Sequence, residues 1–468
     1  MTNRKHKKSK WLCAILATMI GLTMNPSFTK AEEYWPEGPK IDTPSAMVVE
    51  VNSGTILYEK DSHEENYPAS ITKILTTLLA LENSELDEIV TFSADAIKET
   101  PRDSSHIARD VGEEMTMEQC LYAVMLESAN ECAYAVAEHV GTKLGGGYET
   151  FIDLMNSRAK ELGCKNTHFN NSNGLPDEEH YTSAYDMALI AAEAYRNETF
   201  RIITSTIKYQ IPPTNKHDEI TYMANHHKLL HRYKNSDVVY EYCTGGKTGY
   251  TKAAGYTLVS FAEKDGLALA CVVMDTTSKA EWADTTELFE YCFENFKTFT
   301  ISDYETDTPN NEQDNGVMNH YGSYVSMDEN AYIVMPAAAE FKDAKANRTD
   351  IKGSGNAIAQ IEYTYADRVV GKVDIIASGS HVEENYFDEP VPDEDEPQKT
   401  VVKIKPVYII GIVVAIAVLI LLIIIVKKLY DNYYVILHNM EVRKMRKERF
   451  RPVSTKKRRW RKKDRMFR

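Results

Sequence analysis

Ser70-Ile71-Thr72-Lys73 sets a hydroxyl and an amine three residues apart. On a helix, positions i and i+3 share a face, with Cβ atoms roughly 5–6 Å apart, so the two side chains can reach hydrogen-bonding distance. An amine with a lowered pKa can then take the serine proton and activate an otherwise weak nucleophile. The unpaired N–H groups of the helix's first turn are suited to stabilise an oxyanion. The S-x-x-K pattern alone decides nothing, because it also starts at Ser27, Ser157, Ser205 and Ser454. Context singles out Ser70, which follows a hairpin signal, comes directly after Pro68-Ala69 and opens an amphipathic run.

Two further groups follow. Ser128-Ala129-Asn130 offers a hydroxyl to relay a proton and a carboxamide to hold a peptide carbonyl; in isolation the same tripeptide reads as a loop or a helix cap. Lys247-Thr248-Gly249 enters a predicted strand. There Lys and Thr can bind a carboxylate while the strand edge pairs with an extended peptide, and Gly leaves room for that peptide's backbone. Alone, it reads as a hairpin with a surface lysine.

Taken in order, the three groups follow S-x-x-K, S-D-N and K-T-G, the signature of penicillin-binding proteins and class A β-lactamases, with Ala129 in place of the central Asp. The chain resembles the serine D-alanyl-D-alanine carboxypeptidases, the low-molecular-mass penicillin-binding proteins. Pro68-Ala69-Ser70-Ile71-Thr72-Lys73, Glu127-Ser128-Ala129-Asn130, Asn173-Gly174-Leu175, His180-Tyr181-Thr182-Ser183-Ala184-Tyr185-Asp186 and Lys247-Thr248-Gly249-Tyr250-Thr251 all carry the likeness. It implies Ser70 as the acylated nucleophile, Lys73 as its base and Ser128 as the relay towards the leaving amine. Asn130 would hold the substrate amide, and Lys247 and Thr248 the terminal carboxylate, with Gly249 beside them. The backbone N–H groups of Ser70 and Tyr250 would form the oxyanion hole. Tyr250 stands where the family often has histidine, which bears on fine substrate preference. The implied partners are peptidoglycan stem peptides, with β-lactams as inhibitors; neither cofactor nor metal is implied. The rival readings are a DD-endopeptidase, a class A-like β-lactamase and a non-hydrolytic β-lactam or muropeptide receptor. A β-lactamase needs a glutamate for its deacylating water, and Glu178 and Glu179 fall in the corresponding loop region.

The elements that must position these groups read as an α+β domain of the β-lactamase/DD-peptidase type, an antiparallel sheet with helices. Ala46–Val51 and Thr55–Lys60 flank Asn52-Ser53-Gly54 as a hairpin. Helical spacing runs from Ser70, over Met117–Val140, Tyr148–Leu162, Tyr185–Tyr195 and Ala280–Phe296. Tyr256–Ala262 and Gly266–Met274 read as strands. The expected layout is a catalytic domain over 32–300 and a small β-rich domain over 301–382, with strands at Tyr332–Met335, Ala357–Tyr365 and Val369–Ile376.

The ends carry an address. The net charge of −15 partitions into +6 for residues 1–31, +13 for 427–468, and −34 for the body between. A basic n-region and the 14-residue apolar run Trp11–Met24 read as a signal peptide over 1–31, with an uncleaved anchor as the alternative. Val407–Val426 is 20 uncharged residues, enough for about 30 Å of hydrocarbon as a transmembrane helix. An acidic, proline-bearing stalk precedes it over 383–406. The positive-inside rule puts the basic tail, 427–468, in the cytoplasm and the acidic body outside. The tail is suited to anionic lipid; no nucleic-acid partner is expected.

No C-x-x-C pair exists, and Cys120 and Cys132, if on one helix, would lie about 18 Å apart and could not pair. His227 and His231 are spaced i, i+4 beside His226, but without the glutamate of H-E-x-x-H. His168 and His180 flank Asn173-Gly174-Leu175, where packing and substrate contact are both open roles.

Overall fold

The computed structural model describes residues 34–234, 238–304, 325–351 and 357–377. All lie within Met1–Val382, one of two units into which the chain divides. The expected signal peptide, stalk, transmembrane helix and basic tail lie outside the described residues, among which no helix is long and apolar enough to cross a membrane.

The chain opens with the expected hairpin, β1 (Ser45–Glu50) and β2 (Ile56–Lys60), turning at Gly54 with φ +70°. A 3₁₀ turn (Ala69–Thr72) runs into α1 (Lys73–Asn83). Short pairs, β3 (Ile89–Thr91) with β4 (Glu114–Thr116) and β5 (Lys208–Ile211) with β6 (Thr221–Ala224), bracket the helical layer. That layer holds α2 (Ala94–Lys98), α3 (Met117–Leu126), α4 (Asn130–Lys143), α5 (Tyr148–Glu161), α6 (Ala184–Arg196) and α7 (Glu198–Ser205). The chain then returns to the sheet as β7 (Cys243–Thr251), β8 (Gly255–Lys264) and β9 (Leu267–Thr276), followed by α8 (Ala280–Asn295).

The main sheet is antiparallel with order β2-β1-β9-β8-β7. Strands from both sequence ends therefore meet at the β1–β9 pairing, where Val48 faces Cys271. Its central strands are covered on both faces, which explains their near-continuous apolar runs. Met47 and Val49 of β1, Ala270 and Val272 of β9, and Val259 and Phe261 of β8 join the helical core. Their neighbours Ala46, Val48, Leu269, Cys271, Val273 and Leu258 face the other way, with Trp282, Leu288 and Phe289 of α8. Because side chains alternate across a strand, a one-residue slip would exchange the two cores. β2 and β7 are the edge strands, so one side of the β7 backbone is unpaired within the sheet.

The expected single helix over Met117–Val140 is two. α3 ends at Leu126, Ser128 takes φ +59°, and α4 starts at Asn130. The Ala129 N–H turns back to the Ala123 carbonyl and the Asn130 N–H goes to Ser105 O. The apolar spacing continues across the break because both helices bury the same side, so periodicity alone missed the turn. Cys120 and Cys132 accordingly lie on different helices, and all six cysteines of the described residues are free.

The segment after α8 is β-rich. β10 (Phe296–Thr300) pairs with β12 (Tyr332–Pro336), and a four-stranded sheet has order β11 (Val325–Met327), β15 (Arg368–Ala377), β14 (Ala357–Tyr365), β13 (Lys345–Asp350). Phe299, Ile333, Ile361, Tyr363 and Ile375 form its core. The β10–β12 pairing begins at Phe296, so backbone pairing crosses residue 300.

Candidate active site

Ser70 lies not in the α-helix but in the 3₁₀ turn before it. In a 3₁₀ turn residues i and i+3 eclipse, which aligns Ser70 with Lys73 more directly than α geometry would. Lys73 Nζ is 3.0 Å from Ser70 Oγ and 2.6 Å from Asn130 Oδ1, and also donates to the Asn173 carbonyl. Lys73 is fully buried. Burial, then the nearby Lys247 cation, hold its amine well below the usual lysine range, against an opposing pull from Glu131.

The break between α3 and α4 puts Ser128 on the other side of the same space. Lys247 Nζ donates to Ser128 Oγ at 3.1 Å and to the carbonyl of Thr248 at 2.8 Å. Lys247 is 2% exposed, and burial lowers its pKa to about 7, with Glu127 acting in the opposite direction. The Asn130 carboxamide is fixed at both ends: its Oδ1 accepts from Lys73, and its Nδ2 donates to Ser104 Oγ at 3.0 Å. Two hydrogen-bonded groups, Ser70–Lys73–Asn130 and Ser128–Lys247, thus face one another, joined by the short backbone from Ser128 to Asn130.

Close backbone approach finishes it. A Cβ at Gly249 would lie 3.0 Å from the Ser70 nitrogen and 2.3 Å from Thr257 Oγ1, so β7 passes directly against the Ser70 amide. Thr257 Oγ1 itself donates to Pro68 O, tying β8 to the turn. Gly174, at φ +84°, packs so tightly that a Cβ would fall 1.8 Å from Ala69 O. Ala69 is itself left-handed, with φ +51°, a conformation that costs a non-glycine residue about 1–2 kcal/mol. Strain therefore sits immediately before Ser70. Thr248 is half-buried beside Lys247, and Tyr250 is 56% exposed and packs against Tyr256 on the neighbouring strand.

The histidines have structural partners. His180 Nδ1 accepts from the Asn170 N–H at 2.9 Å, which leaves Nε2 to donate to Thr72 Oγ1. Burial pushes its pKa down to about 3, so the neutral ring buttresses the turn that carries Ser70. His168 Nδ1 meets the Glu179 carbonyl. His226 pairs with Glu127, His227 with Ser260 Oγ, and His231 with Asn225 O, and no metal-holding cluster occurs among the described residues. Two participants escaped sequence reading: the Asn173 carbonyl, because any residue supplies one, and Ser104, which no motif marks. Only the Gly174 beside Asn173 hinted at a close approach.

Antiparallel sheet, helical layer and a Ser–Lys, Ser–Asn, Lys–Thr–Gly cluster together define a serine acyl-transfer enzyme of the penicillin-interacting type. Comparison with known proteins agrees. The model of the family described as D-alanyl-D-alanine carboxypeptidase matches residues 32–278. The chain is 34% identical to D-alanyl-D-alanine carboxypeptidase DacF of Bacillus subtilis over 296 residues, 62% of this chain and 72% of the relative. It is 32% identical to DacA of Escherichia coli over 276 residues, 56% of this chain and 64% of the relative. Among solved structures, a Streptomyces DD-transpeptidase aligns with TM-score 0.51 at 30% identity, covering 55% of this chain and all of the other. Penicillin binding protein 5 of Haemophilus influenzae, at 23% identity and TM-score 0.56, shares the fold over 73% of this chain. The chain belongs to the D-alanyl-D-alanine carboxypeptidase family.

Proposed function

We propose that this chain is a serine DD-carboxypeptidase that releases the terminal D-alanine of peptidoglycan pentapeptides through an acyl-enzyme on Ser70, and that β-lactams acylate the same serine. The carrying observation is the environment of Lys73 Nζ. A neutral amine has two N–H donors and one lone pair. Asn130 Oδ1 and Asn173 O take the two donors, which leaves the lone pair for Ser70 Oγ at 3.0 Å. Burial next to Lys247 favours that neutral form. Lys73 therefore accepts the serine proton as the Ser70 oxygen attacks the scissile carbonyl. The developing oxyanion is received by the N–H groups of Ser70 and Tyr250. Ser128 passes a proton to the departing amine, and Lys247 and Thr248 hold the terminal carboxylate. Water then frees the trimmed peptide.

This reading is favoured over a class A-like β-lactamase because the loop after α5 meets Lys73 with a backbone carbonyl, that of Asn173, while Glu178 and Glu179 are exposed to solvent. We also infer an exported enzyme held by a single C-terminal span, with the β-rich segment and acidic stalk between catalytic domain and membrane, and the basic tail at the cytoplasmic face. The charge partition and the apolar run 407–426 support this. Full-length protein in detergent should release D-alanine from a D-Ala-D-Ala peptide, and Ser70→Ala should abolish the release. Undiminished release by Ser70→Ala would overturn the assignment; penicillin labelling without release would point to the receptor instead. Protease added outside intact cells should spare the tail.

A further inference from the structure

Glu127 directly precedes Ser128, and two groups from one short segment hold its carboxylate. The Ala224 N–H reaches Oε1 at 2.8 Å, and His226 Nε2 reaches Oε2 at 3.0 Å. The same segment continues to the lysine-bearing strand. The next residue, His227, is buried with Nε2 2.9 Å from Ser260 Oγ, and its ring fills the place a Cβ on Gly246 would take, 2.5 Å from Nε2. Asn225 anchors the segment from beneath, donating to Thr204 O and Thr206 O, and Thr204 Oγ1 exchanges hydrogen bonds with the backbone of Gly246. Residues 224–227 are thus a strut between the turn carrying Ser128 and the strand carrying Lys247, whose side chains bond across it at 3.1 Å. No catalytic motif marks the strut.

We propose that the Glu127–His226 pair is a positioning and charge-setting unit for Lys247: it fixes the Ser128–Lys247 distance and supplies the counter-charge that keeps Lys247 cationic for a substrate carboxylate. The charged and titratable groups around Lys247 are Lys73 on α1, His227 on the strut and Glu127. Of these, Glu127 alone is anionic. Burial drives Lys247 towards neutrality and Glu127 opposes it. Burial raises the Glu127 pKa, but the hydrogen bonds from His226 and the Ala224 N–H, with the charges of His226 and Lys234, outweigh it and hold the carboxyl below its usual range. The contrast with the glutamate on the other side of Ser128-Ala129-Asn130 is informative. Glu131 is 2% exposed, its Oε2 has no partner, and burial raises its pKa, while it still pulls Lys73 towards the charged form.

This inference rests on the carboxypeptidase reading, and the test separates the two. Wild-type D-alanine release tests the reading itself. The inference is tested by the pH profiles of Glu127→Gln and His226→Gln, each as the full chain and each measured by kcat/KM for the peptide and by the rate of penicillin acylation. Both substrates carry a carboxylate, and acylation does not require turnover. For Glu127→Gln the alkaline limb should move to lower pH, because the charge that opposes the effect of burial on Lys247 is gone. KM should rise several-fold more than kcat falls. His226→Gln, at the more exposed end of the pair, should move the limb the same way by less. A profile unmoved in both variants, or a uniform loss of kcat with no displacement, would overturn the proposal. Should Glu127→Gln not fold, the His226→Gln profile decides alone.

Discussion

Replacing Gly174 by alanine is the sharpest perturbation of the nucleophile that leaves every catalytic side chain in place. Two costs follow from the geometry. At φ +84° an alanine is strained by roughly 1–2 kcal/mol. The second cost is larger in consequence: the new Cβ would sit 1.8 Å from Ala69 O and 3.0 Å from Ser70 N, both backbone atoms that cannot rotate away. The Ala69 carbonyl also accepts from Thr72 Oγ1 at 2.9 Å, so moving it disturbs the 3₁₀ turn as a unit. Relief needs about an ångström of displacement of either the Asn173–Gly174 loop or the Ala69–Ser70 peptide. Either movement breaks the site, because Asn173 O and Ser70 Oγ are two of the partners that orient Lys73 Nζ. An ångström of misplacement at a reacting centre is worth about 100-fold in rate. Gly174→Ala should therefore lose about two orders of magnitude in Ser70 acylation by penicillin, followed by stopped-flow or labelled-drug trapping, with a thermal unfolding midpoint only a few degrees lower. An acylation rate within threefold of wild type in the folded variant would refute the argument that this glycine sets the nucleophile's position.

The pH–rate profile of kcat/KM should be bell-shaped. Activity rises as Lys73 loses its proton on an acid limb far below ordinary lysine, and falls as Lys247 loses its own near pH 7; a single alkaline rise near pH 10 would contradict both assignments. Acid should destabilise the fold through His180 and His227. Burial lowers each to about 3, so between the unfolded value of about 6.5 and pH 3 the unfolded chain binds more protons and stability falls with pH. Urea midpoints of wild type and His180→Asn should converge as pH drops through that window. Arg109→Met should cost about 1.5–3 kcal/mol by urea unfolding, because it removes the cation bonded at 2.8 Å to the fully buried Glu113 and leaves that carboxylate the Thr214 hydroxyl, the Asp110 N–H and His217.

Much of the catalytic cluster was legible in the chain because it is written in side-chain types at helical and strand spacings. Ser70 and Lys73 at i, i+3, Lys247-Thr248-Gly249 entering a strand, and apolar strands at both sequence ends were all readable, and the β1–β9 pairing joins those ends as the pattern required. The boundary between α3 and α4 was not readable. Amphipathic periodicity reports which side is buried, and that side does not change across Ser128. Nor were the 3₁₀ conformation at Ser70 or the left-handed Ala69, since both are imposed by the packing of Gly174 and Thr257 on the turn rather than by local preference.

Sequence by itself determined the inventory: two serines, two lysines and an asparagine, in an order that matched a family. It also fixed the division of charge along the chain. Tertiary structure decided which lysine meets which hydroxyl, because Lys247 meets a hydroxyl 119 residues away in the chain. It also decided their protonation. Burial and neighbouring charge are properties of the folded environment: burial lowers both lysine amines, the neighbouring Lys247 lowers Lys73 further, and Glu127 opposes the fall at Lys247.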